Sequence, residues 1–425
     1  MIKVFKFGGA SVNSVDRIRH VSNILQAYKG QPLLIVISAM GKTTNALEKV
    51  AEAFYKHEKD EALQLFDEVK KIHLTTANHL LTKQFAACER QLRDLFTEVE
   101  WLLHDRPVKP FDFYYDQIVC VGELLSTTII SFYLNEDGLT NQWVDVRDII
   151  RTDSNFRDAN IDWKYTEQRT EELVKPVLSS GEMVLTQGFI GATHENESTT
   201  LGREGSDFTA AVFSNLLDAE SQTIWKDVAS VMNADPREIK DALPLPELNY
   251  NEVIEMAYYG AQVIHPKTIK PLQNKGIPLL VKCFLNADLP GTIIHNNAIP
   301  PLPPIVMVKK NQVMITLRSK DFSFIGDHNT EELYQLLKRL FLTPTLTQNG
   351  AIKIIYAFDN REEKLKELVA EAGKSFDVQI MSGLTLLTIR HYNDEALNRF
   401  VANKDFLVRQ QTAQHICLLY LEQGL

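Results

Sequence analysis

Residues 1–13, MIKVFKFGGASVN, set a lysine inside a short apolar run and follow it at once with two glycines and a serine. The run 2–7 predicts a buried strand. Residues 14–28 predict a helix, capped by Ser14 and stopped by Gly30. A second apolar run, LLIVIS at 33–38, then predicts another strand. Strand, helix, strand implies a right-handed crossover in a mostly parallel sheet. A glycine turn exposes backbone amides, the helix beyond offers its positive end, and Lys6 adds an ammonium, so the turn is a place for phosphate. It is neither GxxxxGK[ST] nor GxGxxG. Taken alone, residues 6–9 fit an ordinary turn with a surface lysine equally well.

The rest of the chain extends this α/β class. Residues 43–106 hold no glycine or proline, and Leu63, Phe66, Val69, Leu92, Leu95 and Val99 recur at helical spacing. Two or three packed helices, a subdomain or lid, are expected there. Strand and helix then alternate to about residue 298. IPPLPP at 299–304 is a stiff connector. Beyond it, residues 305–425 read as small α+β units, two of them, the second short of a final helix. The 425 residues are 44% hydrophobic and carry a net charge of −10, with no basic footprint for nucleic acid. Four scattered cysteines, with no CxxC, predict reduced buried thiols. No leader is read at the start, and the apolar runs are expected to be too short for a bilayer, which together point to a cytoplasmic protein without a membrane partner.

Several polar clusters interrupt the apolar pattern. SAMGKTTN at 38–45 follows the second strand, where a parallel sheet gathers ligands, with Ser38 and Thr44 as candidate contacts and a helix cap at Thr43 or Thr44 as the plainer reading. Glu123, in VGELLS at 121–126, could receive an ammonium or simply cap a helix. TTLGREGSDFTA at 199–210 offers Arg203 for a carboxylate, with Asp207 to orient Lys6. WKDVASVMNADPR at 225–237 ends in a turn, where Asp227 and Arg237 could hold a nucleotide. GAQVIHPKT at 260–268 ends a helix, and His265 beside Pro266 reads as structural.

In order, KFGGASV, SAMGKTTN, VGELLS, GFIGA with TLGREGSDFTA, WKDVASVMNADPR and GAQVIHPKTIKPL resemble the motifs of the aspartate kinases in the amino-acid kinase superfamily. The resemblance covers the first domain from end to end. It implies an amino-acid-kinase-type sandwich at 1–298, with 43–106 as a helical subdomain. ACT-like, ferredoxin-like regulatory units would occupy 305–425. Lys6, Phe7, Gly8 and Gly9 would bind ATP, with Lys6 stabilising the moving phosphoryl group and Asp207 organising it. Lys226, Asp227, Met232, Arg237 and Gln262 would surround the nucleotide. Glu123 would hold the amino group of aspartate, Arg203 its α-carboxylate, and Ser38, Thr44 and Ser206 would line the same site. Ala10, Glu204, Ser230, Met232 and Gln262 depart from the family's usual residues.

The implied reaction moves the γ-phosphoryl of MgATP to the β-carboxylate of L-aspartate, an early step toward lysine, threonine, methionine and isoleucine. Mg2+ would be held through phosphates and water rather than by a protein cage. Lysine or threonine is the implied effector, and pairing of ACT-like units implies a homodimer or larger homo-oligomer. The alternatives are a glutamate or N-acetylglutamate kinase on the same fold and a non-catalytic ACT-type amino-acid sensor.

Overall fold

The computed structural model describes every residue except 262, 322, 323, 325, 326, 403, 404 and 422–425. The chain forms two compact units. One comprises Met1–Val231, Pro246–Ile254 and Ile264–Ile299; the other comprises Met232–Leu245, Glu255–Val263 and Pro300–Leu425. The division is therefore not a single cut at the proline-rich segment, because two stretches upstream of it group with the later residues.

The first unit is built on β1 (Lys3–Phe7), β2 (Leu33–Ile37), β3 (Asn141–Val144), β4 (Met183–Gln187), β5 (Ile190–Ala192), β6 (Ser198–Thr200), β7 (Ser221–Lys226), β8 (Glu247–Asn249), β9 (Leu279–Cys283) and β10 (Thr292–His295). Eight of these make one sheet in the order β8-β10-β9-β7-β1-β2-β4-β3. All its pairings are parallel except β9 with β10. β5 and β6 form a separate antiparallel pair. All five residues of β2 are buried, as expected for a strand covered on both faces.

The helices of this unit are α1 (Val15–Gln26), α2 (Thr43–Tyr55), α3 (Lys59–Leu80), α4 (Phe85–His104), α5 (Phe111–Val119), α6 (Val121–Glu136), α7 (Trp163–Arg169), α8 (Lys175–Ser179), α9 (Gly205–Leu216), α10 (Tyr250–Tyr258, which runs on into the other unit) and α11 (Pro266–Lys275). Ser14 caps α1 by accepting the Arg17 N–H at 3.3 Å, and Gly30 follows with φ 77°. A cap at Thr43 or Thr44 is not formed: both lie inside α2, and Lys42 precedes it with no side-chain cap. The glycine-free stretch holds three helices, α2 to α4. Their Leu47, Phe66, Leu92 and Val99 share one continuous core with the sheet residues Phe5, Ile35 and Leu185, and all three helices pack against α6, which lies on the sheet.

By length and composition, residues 111–136 could cross a membrane, contrary to the expectation of short apolar runs. Here that stretch is α5 and α6, 83% buried across its most apolar window, and α6 packs on α3, α4, β3 and β4. Such a helix serves as the centre of a folded core.

The second unit carries β11 (Ile305–Ser319), α12 (Asp327–Arg339), β12 (Leu346–Asn349), β13 (Lys353–Asp359), α13 (Glu362–Ala372), β14 (Phe376–Arg390), α14 (Asp394–Val401), β15 (Phe406–Gln411) and β16 (His415–Leu421). They form one antiparallel sheet in the order β12-β13-β11-β14-β16-β15. Elements β11 to β14 follow a βαββαβ ferredoxin-like order. A second, smaller module reuses the far halves of β11 and β14 with α14, β15 and β16, and has one helix among the described residues. Strands β12 and β15 are absent from the sequence reading, because LTQN and FLVRQQ carry too few apolar residues to announce edge strands.

Phe7 anchors the first core. Its ring is fully buried and stacked 5.8 Å from Trp225 at 3°. Replacing it with alanine is expected to cost about 3–5 kcal/mol, measurable as a lowered urea midpoint; a loss under about 1 kcal/mol would contradict this packing.

Candidate active site

Strands β7, β1, β2 and β4 lie side by side and parallel, so their carboxyl ends open onto one rim. Gly8 and Gly9 leave β1 there, Ser38 leaves β2, Gly188 leaves β4 and Asp227 leaves β7. The turns sit very close together. A Cβ on Gly9 would stand 2.6 Å from the Ala39 carbonyl oxygen, and one on Gly188 would stand 2.4 Å from the Ser206 Cβ. Glycine is required at both positions for the backbones to meet.

A cavity of about 430 Å³ lies at this rim. Lys6, Ser38, Thr44, Glu123, Arg203, Ser206 and Asp207 all line it. Seven of the residues named from sequence are thus brought together from β1, the β2 exit, α2, α6 and the start of α9. The Lys6 Nζ lies 2.7 Å from the Asp207 Oδ1, with side-chain exposures of 13% and 5%, though not aligned as a hydrogen bond. Such a pair holds the ammonium in place at the cavity wall. Arg203 is exposed, and no hydrogen bond or ion pair engages its guanidinium among the described residues.

Glu123 is the electrostatic centre of the cavity. It is 2% exposed and sits in the first turn of α6. Rather than capping that helix, its Oε1 accepts the Ala39 N–H at 3.4 Å, while Oε2 has no partner among the described residues. Burial drives its carboxyl up to about 8, against the smaller opposing pull of the Ala39 amide. An unpaired buried acceptor is costly and is relieved by a cation.

Other predicted residues lie elsewhere. The Phe7 ring is wholly within the core, which leaves its backbone at the end of β1. Gly8 and Gly9 leave the strand at the rim but are absent from the cavity lining. Lys226 and Asp227 end β7 beside β1 without lining the cavity. Arg237 is held by Asp235 at 2.7 Å on the surface and, like Met232, falls in the second unit. Gln262 lies outside the described residues.

Sequence reasoning missed Tyr115, Arg157, Phe189 and Thr200, which also line the cavity. Phe189 adopts φ 73° and is held by its N–H to the Thr209 hydroxyl at 3.0 Å. A findable signal was Asp116, a carboxylate in the middle of the largely apolar helix FDFYYDQIV. Glu204, at a position where the resemblance leads one to expect glycine, adopts φ 54°, the left-handed conformation that favours glycine. Its Oε2 accepts the His265 N–H at 2.9 Å, which ties the start of α9 to the start of α11.

A sequence profile described as the amino acid kinase family matches residues 1–283. The chain belongs to that family. Its relatives include aspartokinases. A chloroplastic bifunctional aspartokinase/homoserine dehydrogenase of Zea mays is 33% identical over 303 residues, 69% of this chain but only 32% of that protein. The chain thus spans about a third of the length of the bifunctional plant relatives it matches. Chloroplastic aspartokinase 2 of Arabidopsis thaliana is 32% identical over 410 residues, covering 91% of this chain and 73% of that one. The structure of Escherichia coli aspartokinase III with aspartate and ADP superposes with a TM-score of 0.84 at 26% identity, over 99% of this chain and 96% of that chain. The same enzyme with lysine and aspartate gives 0.82 at 27% identity, with the same coverage.

The sign of the Glu123 shift makes a prediction. The carboxyl is raised on folding, so the folded protein holds a proton that the unfolded chain releases. Stability of the ligand-free protein therefore falls as pH rises from about 4.5 to about 8, and the loss is complete above that. Glu123→Gln is expected to remove this slope, measured by urea unfolding across pH. An identical slope in both proteins would show the carboxyl to be normal.

Proposed function

We propose that this protein is an aspartate kinase, transferring the γ-phosphoryl group of MgATP to the β-carboxylate of L-aspartate to give 4-phospho-L-aspartate and ADP. One observation carries the reading of the acceptor: the buried carboxylate of Glu123, whose Oε2 has no partner among the described residues, shares a cavity with the exposed guanidinium of Arg203. A free amino acid offers the complementary ammonium and carboxylate. An N-acetylated acid lacks the ammonium and would leave Glu123 unrelieved, which disfavours N-acetylglutamate. A sensor without chemistry would have no use for a lysine held beside a carboxylate at the same cavity.

The site's roles follow from its charges. Glu123 takes the substrate ammonium and Arg203 the α-carboxylate, leaving the β-carboxylate as nucleophile. That group is ionised at neutral pH and needs no general base. Lys6, oriented by Asp207, meets the charge that develops on the transferring phosphoryl group. Ser38, Thr44 and Ser206 supply hydroxyls and backbone to fix the acceptor. Gly8 and Gly9 bring backbone close to the phosphates, while Lys226, Asp227, Met232, Arg237 and Gln262 are assigned to the nucleotide by resemblance alone.

Among the described residues, no group of three His, Cys, Asp or Glu side chains could hold a metal ion. The remaining donors suit Mg2+, which keeps much of its water and takes one or two carboxylates. Asp207, whose Oδ1 has no aligned donor, is the carboxylate that would face it. Bound with the nucleotide, the ion would neutralise phosphate charge.

The second unit is assigned amino-acid regulation, with lysine or threonine as effector. Residues 321–334, where the family resemblance puts an effector-binding stretch that this sequence keeps poorly, lie partly outside the described residues. A homo-oligomer in a reducing compartment, the cytoplasm, completes the reading, and the four cysteines are free and buried.

A hydroxamate assay with ATP, magnesium and aspartate, run beside glutamate and N-acetylglutamate, is expected to give product with aspartate alone. Product only with another acid would replace the reading. Lys6→Ala should lower kcat by on the order of 10²–10³-fold in a protein that still folds; near-normal turnover would remove Lys6 from the chemistry. Added lysine or threonine should depress the steady-state rate, and a flat titration would rule regulation out.

A further inference from the structure

Asp116 is a fully buried carboxylate in the middle of α5. Its Oδ2 accepts backbone N–H groups from Thr200 at 2.8 Å and from Arg157 at 3.0 Å. Its Oδ1 accepts the Thr200 hydroxyl at 2.7 Å. All three donors come from outside the helix, and both residues that supply them line the cavity, as does the neighbouring Tyr115. Arg157 is held at φ 68°, a conformation that costs a non-glycine residue about 1–2 kcal/mol. Its guanidinium then lies 4.3 Å from the centre of the Tyr115 ring and 3.2 Å from Asp112. Helix α5 meets α6 at Cys120, and α6 carries Glu123 in its first turn.

One carboxylate therefore fixes how Thr200 and Arg157 stand relative to the helix pair that bears Tyr115 and Glu123. We propose that Asp116 is a positioning residue of the acceptor site, fixing the part of its wall made by Thr200 and Arg157 while touching no substrate itself. The identity of the acceptor rests on the aspartate kinase reading; the positioning does not.

Geometry and charge can be separated. In Asp116→Asn the amide oxygen can take both backbone N–H groups, while its NH2 donates to a Thr200 hydroxyl that turns to accept. In Asp116→Ala all three donors lose their partner. The experiment combines steady-state kinetics with hydrogen exchange at the amides of Arg157 and Thr200. Asp116→Ala is expected to raise KM for aspartate about tenfold or more, leave KM for ATP within about twofold, and speed exchange at both amides by at least about tenfold. Asp116→Asn is expected to return all of these to within about threefold of wild type.

Unchanged KM for aspartate in a folded Asp116→Ala protein overturns the proposal, as does unchanged exchange at the two amides. Asn as impaired as Ala also overturns it, since charge rather than placement would then be the cause. Should the alanine variant fail to fold, Thr200→Val removes only the hydroxyl, and it must raise KM for aspartate by about threefold for the proposal to stand. If the wild type does not phosphorylate aspartate, the functional reading fails, and the exchange pattern alone decides the positioning role.

Discussion

The parallel register of four neighbouring strands is the constraint from which the site follows. Because β7, β1, β2 and β4 all run the same way, each delivers its following turn to the same rim. A reversed strand among them would send one turn to the far edge. The tight spacing of those turns leaves no room for side chains at Gly9 and Gly188, so backbone and polar tips make the wall there. Helices α6 and α9 then supply what the strands cannot: a carboxylate buried from birth in Glu123, and Asp207 beside Lys6.

Much of this was legible in the sequence because it is local. A five-residue apolar run with a glycine turn declares a parallel strand end, and β1 and β2 stand within one or two residues of where periodicity puts them. The seven gathered residues were readable because each belongs to a short motif. Arg157 was not, because no local pattern marks it, and although Asp116 interrupts an apolar helix and Thr200 stands in a polar motif, nothing local says that the three meet. Asp116 meets Thr200 across 84 residues and Arg157 across 41, contacts that only the folded chain creates. Phe7 shows the opposite case. A residue within a phosphate-loop motif reads as part of the site, yet strand alternation turns its ring into the core. Residues 111–136 are longer and more apolar than the sequence reading allowed, yet apolar length alone does not separate a core helix from a membrane span.

Glu204 illustrates how a departure from a family pattern becomes intelligible. The left-handed backbone at this point explains a glycine preference, and a glutamate there must be compensated. The bond from His265 provides the compensation by engaging the side chain that glycine lacks. The substitution exchanges conformational ease for a cross-link between two helix starts.

In the second unit, β11 and β14 each run for fifteen residues and serve both modules, with their pairing interrupted only by register shifts between Lys309 and Met314. One apolar cluster, containing Ala357, Leu384 and Leu419, draws on strands from both modules. The smaller module has only the β15–β16 ladder to itself and shares the rest of its sheet with the larger one. Loss of either module would therefore uncover strands on which the other also rests.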